Sequence, residues 1–130
     1  MLIAGLVFAG LAALIHVYIF ALESLLFDRP STWKVFGVSG DEQAEVLRPI
    51  FYNQGFYNLF LAVGTAVGIG LTSGGNHDAG LALVTFCCAS MVTAAMILVS
   101  SDPSKARGAV VQGTVPAIAL LWLLVRVATG

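Results

Sequence analysis

Four apolar runs, each about twenty residues or longer, take up most of the chain and are parted by short polar breaks. The first goes from Leu2 to about Phe27 and ends at Asp28-Arg29-Pro30. The second goes from about Pro49 to Leu71 and ends in Thr72-Ser73-Gly74-Gly75-Asn76. The third goes from about Ala79 to Ser100, and the fourth from about Ala109 to Ala128. A helix rising ~1.5 Å per residue needs ~20 residues to cross ~30 Å of hydrocarbon, and each run reaches that length. Lipid leaves no water to pair backbone groups, so runs this long are read as helices. Barrel strands would show ~10-residue alternation, which is absent. The expected fold is all-α: an antiparallel four-transmembrane-helix bundle in a single membrane domain, with spans at about 2–27, 49–71, 79–100 and 109–128.

Composition supports this. Of 130 residues, 58% are hydrophobic and 10% charged. Soluble domains carry roughly 25% charged residues, and a chain this small has too much surface to hide so large an apolar excess. Six basic residues against seven acidic ones form no stripe for phosphates, which excludes a nucleic-acid partner. The lipid bilayer is the partner the composition demands. The first run has no Lys or Arg before Asp28 and is longer than a leader's ~7–15-residue apolar core. It reads as a retained membrane helix.

Orientation follows from the basic residues. Four spans put both ends of the chain and the Thr72–Asp78 turn on one side. The Asp28–Arg48 and Ser101–Gly108 loops lie on the other. The loop side holds Arg29, Lys34, Arg48, Lys105 and Arg107, and the opposite side only Arg126. Positive charge stays inside, so the loops are expected in the cytoplasm and both termini outside. In the first loop, Ser39-Gly40-Asp41-Glu42 reads as a capping box that starts a short interfacial helix running into the second span. Pro49 would kink or restart that helix. Trp33, Phe36, Phe51 and Tyr52 suit the headgroup boundary.

No soluble-enzyme motif is present. Gly64-x-x-x-Gly68 is a small-xxx-small pattern, expected to serve packing within the bundle or a homodimer. Cys87 and Cys88 are adjacent at mid-membrane. Two neighbouring thiols make no metal site, and the default is apolar packing. Haem would need a second imidazole at membrane depth, and His77 lies in the outer turn. No cofactor and no metal is expected.

The informative residues are polar ones at membrane depth. His16 and Glu23 are seven apart, about 20° short of two helical turns, so both fall on one face. Ionisable groups in a span are costly and normally face the bundle interior or a cavity. Antiparallel helices bring Glu23, Asn53, Gln54, Asn58 and Gln112 to one level of the bilayer. They are expected to face one another, with His16 at the inner floor and Tyr18, Tyr52 and Tyr57 at the edge. His16 and Glu23 are the candidate catalytic pair, and Asn53, Gln54, Tyr57, Asn58 and Gln112 the candidate ligand-binding set. Amides in membrane helices can also serve only as glue between helices.

His16-Val17-Tyr18-Ile19 followed by Glu23, Asn53-Gln54-Gly55-Phe56-Tyr57-Asn58-Leu59-Phe60-Leu61-Ala62, and Gln112-Gly113-Thr114-Val115-Pro116-Ala117 form a pattern that covers nearly the whole chain. It resembles the small bacterial four-helix membrane proteins grouped as a domain of unknown function. The resemblance implies a four-span inner-membrane protein and brings no activity with it.

Three functions fit the polar cluster. One is a pocket that binds, and in an enzymatic version transforms, a lipophilic small molecule of sterol, isoprenoid or quinone type, with Glu23 and His16 moving a proton. Placing His, Glu and Asn inside a helical bundle is similar in residue types to membrane isomerases of the emopamil-binding kind. The others are a structural or accessory membrane subunit and an oligomeric proton-coupled transporter.

Overall fold

The computed structural model describes residues 1–130 and is helical throughout. Helix α1 spans Leu2–Phe20 and passes into a π-helical turn at Ala21–Leu25. A short helix α2 covers Pro30–Phe36. Helices α3, α4 and α5 span Asp41–Ser73, His77–Ser101 and Ala106–Thr129, the last preceded by a 3-10 turn at Pro103–Lys105. Four segments are long and apolar enough to cross a membrane: Leu2–Leu25, Asp41–Ser73, His77–Ser101 and Pro103–Thr129. The chain is a multi-pass membrane protein with the expected all-α fold.

Residues form two compact units, one of Met1–Ile15 with Leu61–Gly130, the other of His16–Phe60. The first is a bundle to which all four long helices contribute. Ala9 of α1, Val84 and Cys88 of α4, and Ala119 and Leu123 of α5 form its core, with Ile69 of α3 packed against them. The small residues among them, Ala9, Cys88 and Ala119, let backbones come close, which is how helices gain contact where lipid is as apolar as they are. Gly64 and Gly68 serve this packing. A Cβ added at Gly68 would lie 2.8 Å from the Gly80 carbonyl oxygen, and one at Gly64 2.7 Å from Cys87 Sγ. The small-xxx-small pattern is thus spent against α4 of the same chain.

The α3–α4 turn follows from Gly75, whose φ of 98° only glycine adopts without strain. The Asn76 N–H donates to the Leu71 carbonyl and the Gly75 N–H to the Thr72 carbonyl, which closes the end of α3. Asn76 then caps α4 through Oδ1, which accepts from the Ala79 N–H.

The second unit is a helical hairpin. The end of α1 and the start of α3 run antiparallel, with Phe20 edge-on to Phe56 at 5.1 Å and Phe27 stacked on Phe51 at 4.8 Å. Helix α2 satisfies the carbonyls left open where the first span ends. Thr32 Oγ1 donates to the Leu26 carbonyl and Trp33 Nε1 to the Phe27 carbonyl, at 2.8 and 2.6 Å. Phe36 packs on Phe51 as well, with ring centroids 5.0 Å apart. Trp33, Phe36 and Phe51 therefore join this packing rather than serving only as anchors at the headgroups. Arg48 and Asp28 form an exposed ion pair at 2.7 Å.

Three local expectations change. The first span is not α-helical to Phe27, because the Leu26 N–H donates to the Ala21 carbonyl and widens the last turn. The helix of the loop starts at Asp41, and the side chain reaching back to Ser39 is Gln43, not Glu42; its Oε1 accepts from the Ser39 N–H at 2.6 Å. Of the two expectations for Pro49, a kink or a restart, the restart is absent, since α3 runs 33 residues through it. At ~1.5 Å per residue α3 is about 50 Å long, well beyond ~30 Å of hydrocarbon. The carbonyl that Pro49 leaves unpaired is that of Glu45, an exposed residue, so water can take it up.

Candidate functional site: a buried carboxyl in a π turn

Glu23 sits in the middle of the π turn and is 2% exposed. Its Oε1 accepts a 2.6 Å hydrogen bond from Asn58 Nδ2 on α3. The same amide nitrogen reaches the Gln54 backbone carbonyl at 3.3 Å. Asn58 is half-buried. The next residue in the π turn, Ser24, turns the same way. Its Oγ donates to the Tyr52 carbonyl at 2.8 Å. Two consecutive side chains of the first span are thus hydrogen-bonded to α3, one to a side chain and one to the backbone.

Gly55 makes this approach possible. A Cβ there would strike Ser24 Oγ and lie 3.1 Å from the Cβ atoms of Glu23 and Ser24. No other residue lets the π turn sit this close to α3. Its place in Asn53-Gln54-Gly55-Phe56 was visible in the sequence, but a glycine in an apolar span does not announce which helix it meets.

The Asn58 amide is the only hydrogen-bond partner of the Glu23 carboxyl, so Oε2 has none in the chain. No fully buried side-chain nitrogen or oxygen of the protein lacks a partner. Oε2 therefore touches the accessible surface, although the residue as a whole is almost wholly covered. Asn58 Oδ1 is likewise unpartnered. The carboxyl has no cation against it, and Arg48 pairs with Asp28.

The other expected residues divide. His16, 1% exposed, lies in the same unit as Glu23. Asn53 and Gln54 are exposed, and Gln54 contributes only its backbone carbonyl to Asn58. Tyr57 is 62% exposed and lies edge-on to Phe60. Tyr18 and Tyr52 are exposed as well. Gln112 is half-buried on α5 and belongs to the first unit. The hairpin brings together Glu23, Asn58, Ser24 and Gly55. Ser24 and Gly55 were not among the candidate residues. A hydroxyl beside a carboxyl one turn from the end of a span is the signal that could have pointed to Ser24.

Chemically the site is a carboxyl that can hold or release a proton, an amide that fixes one of its oxygens, and two open acceptor positions. Its frame is a π turn, a form that recurs at functional positions in helices. No match to the chain was found among curated proteins or among solved structures. The family described as "Protein of unknown function (DUF1304)" matches residues 10–124. That stretch contains the whole hairpin, the π turn with Glu23, and most of the bundle, and the chain belongs to this family.

Proposed function

We propose that this multi-pass membrane protein works through the Glu23–Asn58 pair, which binds the polar end of a lipophilic small molecule drawn from the bilayer. The observation that carries the reading is a nearly buried carboxyl with one oxygen held by Asn58 and the other left without a partner. A carboxyl at membrane depth is costly, and an amide would hold α3 equally well if adhesion were all that was needed. Oε2 and Asn58 Oδ1 suit a hydroxyl donor, and a protonated carboxyl suits a carbonyl. Glu23 and His16 are the two titratable side chains that could exchange a proton with such a molecule. The charge bias supports an orientation in the cell membrane with the 28–48 and 101–108 loops cytoplasmic and both termini outside.

Organic extraction of the purified protein, followed by mass spectrometry, tests the reading. The wild type should retain a specific lipophilic molecule that Glu23→Gln, folded to the same thermal stability, retains at least about tenfold less. Equal retention, or none by either protein, would remove the proposal. It would leave a second reading, favoured by the Ser24–Tyr52 hydrogen bond: a structural clamp that locks the hairpin of an accessory subunit.

A further inference from the structure

Asn53 and Tyr57 take no part in the Glu23 site, and their surroundings point elsewhere. Along α3, Val46, Ile50, Asn53, Tyr57 and Phe60 follow one another at intervals of four, three, four and three residues. That is the spacing of a seam between two helices wound around each other. All five side chains are exposed. The Asn53 amide and the Tyr57 hydroxyl make no hydrogen bond within the chain. Both residues lie inside the apolar run that begins near Pro49, Asn53 by one turn and Tyr57 by two. A polar group left unmatched against hydrocarbon is expensive, so a partner is called for at that depth.

The chemistry selects the partner. An Asn side chain carries a donor and an acceptor, so it is its own complement. Two such amides facing each other across a two-fold axis exchange a pair of hydrogen bonds. A second copy inserted in the same orientation presents its Asn53 at the same depth, without further adjustment. An Asn among the aliphatic and aromatic residues of such a seam is also the residue that fixes register and copy number. The Gly64–Gly68 face offers no competing surface, since it is already packed against α4. We infer that the Val46–Phe60 face of α3 is the interface with a second copy of this chain, packed in parallel about paired Asn53 side chains. The inference is independent of what Glu23 binds.

Disulfide cross-linking in isolated membranes tests it. Ile50→Cys, Tyr57→Cys and Phe60→Cys are introduced one at a time with Cys87 and Cys88 changed to Ala, and Asn53 is left in place. Gln54→Cys and Phe86→Cys serve as exposed controls off the seam. On oxidation the three seam positions should give dimers at several times the control yield. In a mild detergent, Asn53→Ala should lower the dimerisation constant about three- to tenfold, at unchanged helix content, as expected for losing one or two interhelical hydrogen bonds. Equal yields at all five positions, no dimer at the seam, adducts with a different protein, or an unchanged constant for Asn53→Ala would each overturn the interface.

Discussion

At Gly55 a single hydrogen atom in place of a methyl group decides whether the carboxyl of Glu23 can meet its amide. The atoms that an added Cβ would strike include the Cβ atoms of Glu23 and Ser24, which cannot swing away as the tip of a side chain can. Gly55→Ala should therefore push the π turn off α3, break the Ser24–Tyr52 and Glu23–Asn58 bonds together, and cost about 1–3 kcal/mol as other overpacked sites do. Thermal unfolding in detergent measures this, and a midpoint equal to the wild type would contradict the close approach. Burial of His16 and Glu23 was readable from the sequence, because an ionisable side chain has few tolerable places in a span. The directions of Asn53, Gln54 and Tyr57 were not. These residues lie within little more than one helical turn, and in a helix apolar on every side nothing marks which of them faces in.

At the level of elements, the α4–α5 turn is organised by one exposed carboxylate. Asp102 Oδ1 accepts from the Ser104 N–H at 3.1 Å and from Ser104 Oγ at 2.6 Å. These bonds favour the charged form and hold the Asp102 carboxyl below its ordinary value, with Lys105 adding a smaller effect in the same direction. A folded-state value below the unfolded one means the contribution is present above the ordinary carboxylate range. It is lost as pH falls through the lowered value. The protection factor of the Ser104 amide, the slowing of its exchange relative to the unstructured amide at the same pH, should thus hold down to about pH 4 and fall below it, while Gly75 in the α3–α4 turn keeps its protection. Parallel behaviour at the two turns would show that Asp102 does not organise its own. Among the elements, the four long helices were plain in the sequence, since length and hydropathy suffice for them. A short helix in the first loop was expected and is present, but its place at Pro30–Phe36 was not read, because it is held by Thr32 and Trp33 binding carbonyls at the end of the first span. Such bonds join residues six apart across the irregular end of the first span, where no regular repeat marks them. Whether Pro49 would restart the helix was open in the sequence for a related reason. Its cost in a helix depends on whether the freed carbonyl meets water, and that depends on where the helix leaves the membrane.

At the scale of the whole molecule, the proposed orientation rests on the five-to-one division of basic residues and is open to a direct test. With Cys87 and Cys88 removed, Gly40→Cys should resist membrane-impermeant thiol reagents in intact cells, and a cysteine appended after Gly130 should react. Gly40 is a suitable site because a side chain there meets nothing within 4 Å. The reverse labelling pattern would invert the topology and place the acidic start of α3 outside.

The π turn has a consequence for how this protein can change over time. A helix is a counting device: each residue added or removed turns everything beyond it by about 100°. The turn at Ala21–Leu25 holds one residue more than the regular repeat would use, and that surplus sets the heading of Glu23. Deleting a neighbour such as Ala21 would leave a smoother helix and an intact carboxyl, yet aim it away from Asn58. The bearing of the acid is thus stored in the length of the chain as much as in its chemistry. Insertions and deletions between His16 and Glu23 should be borne far less well than exchanges of one apolar residue for another.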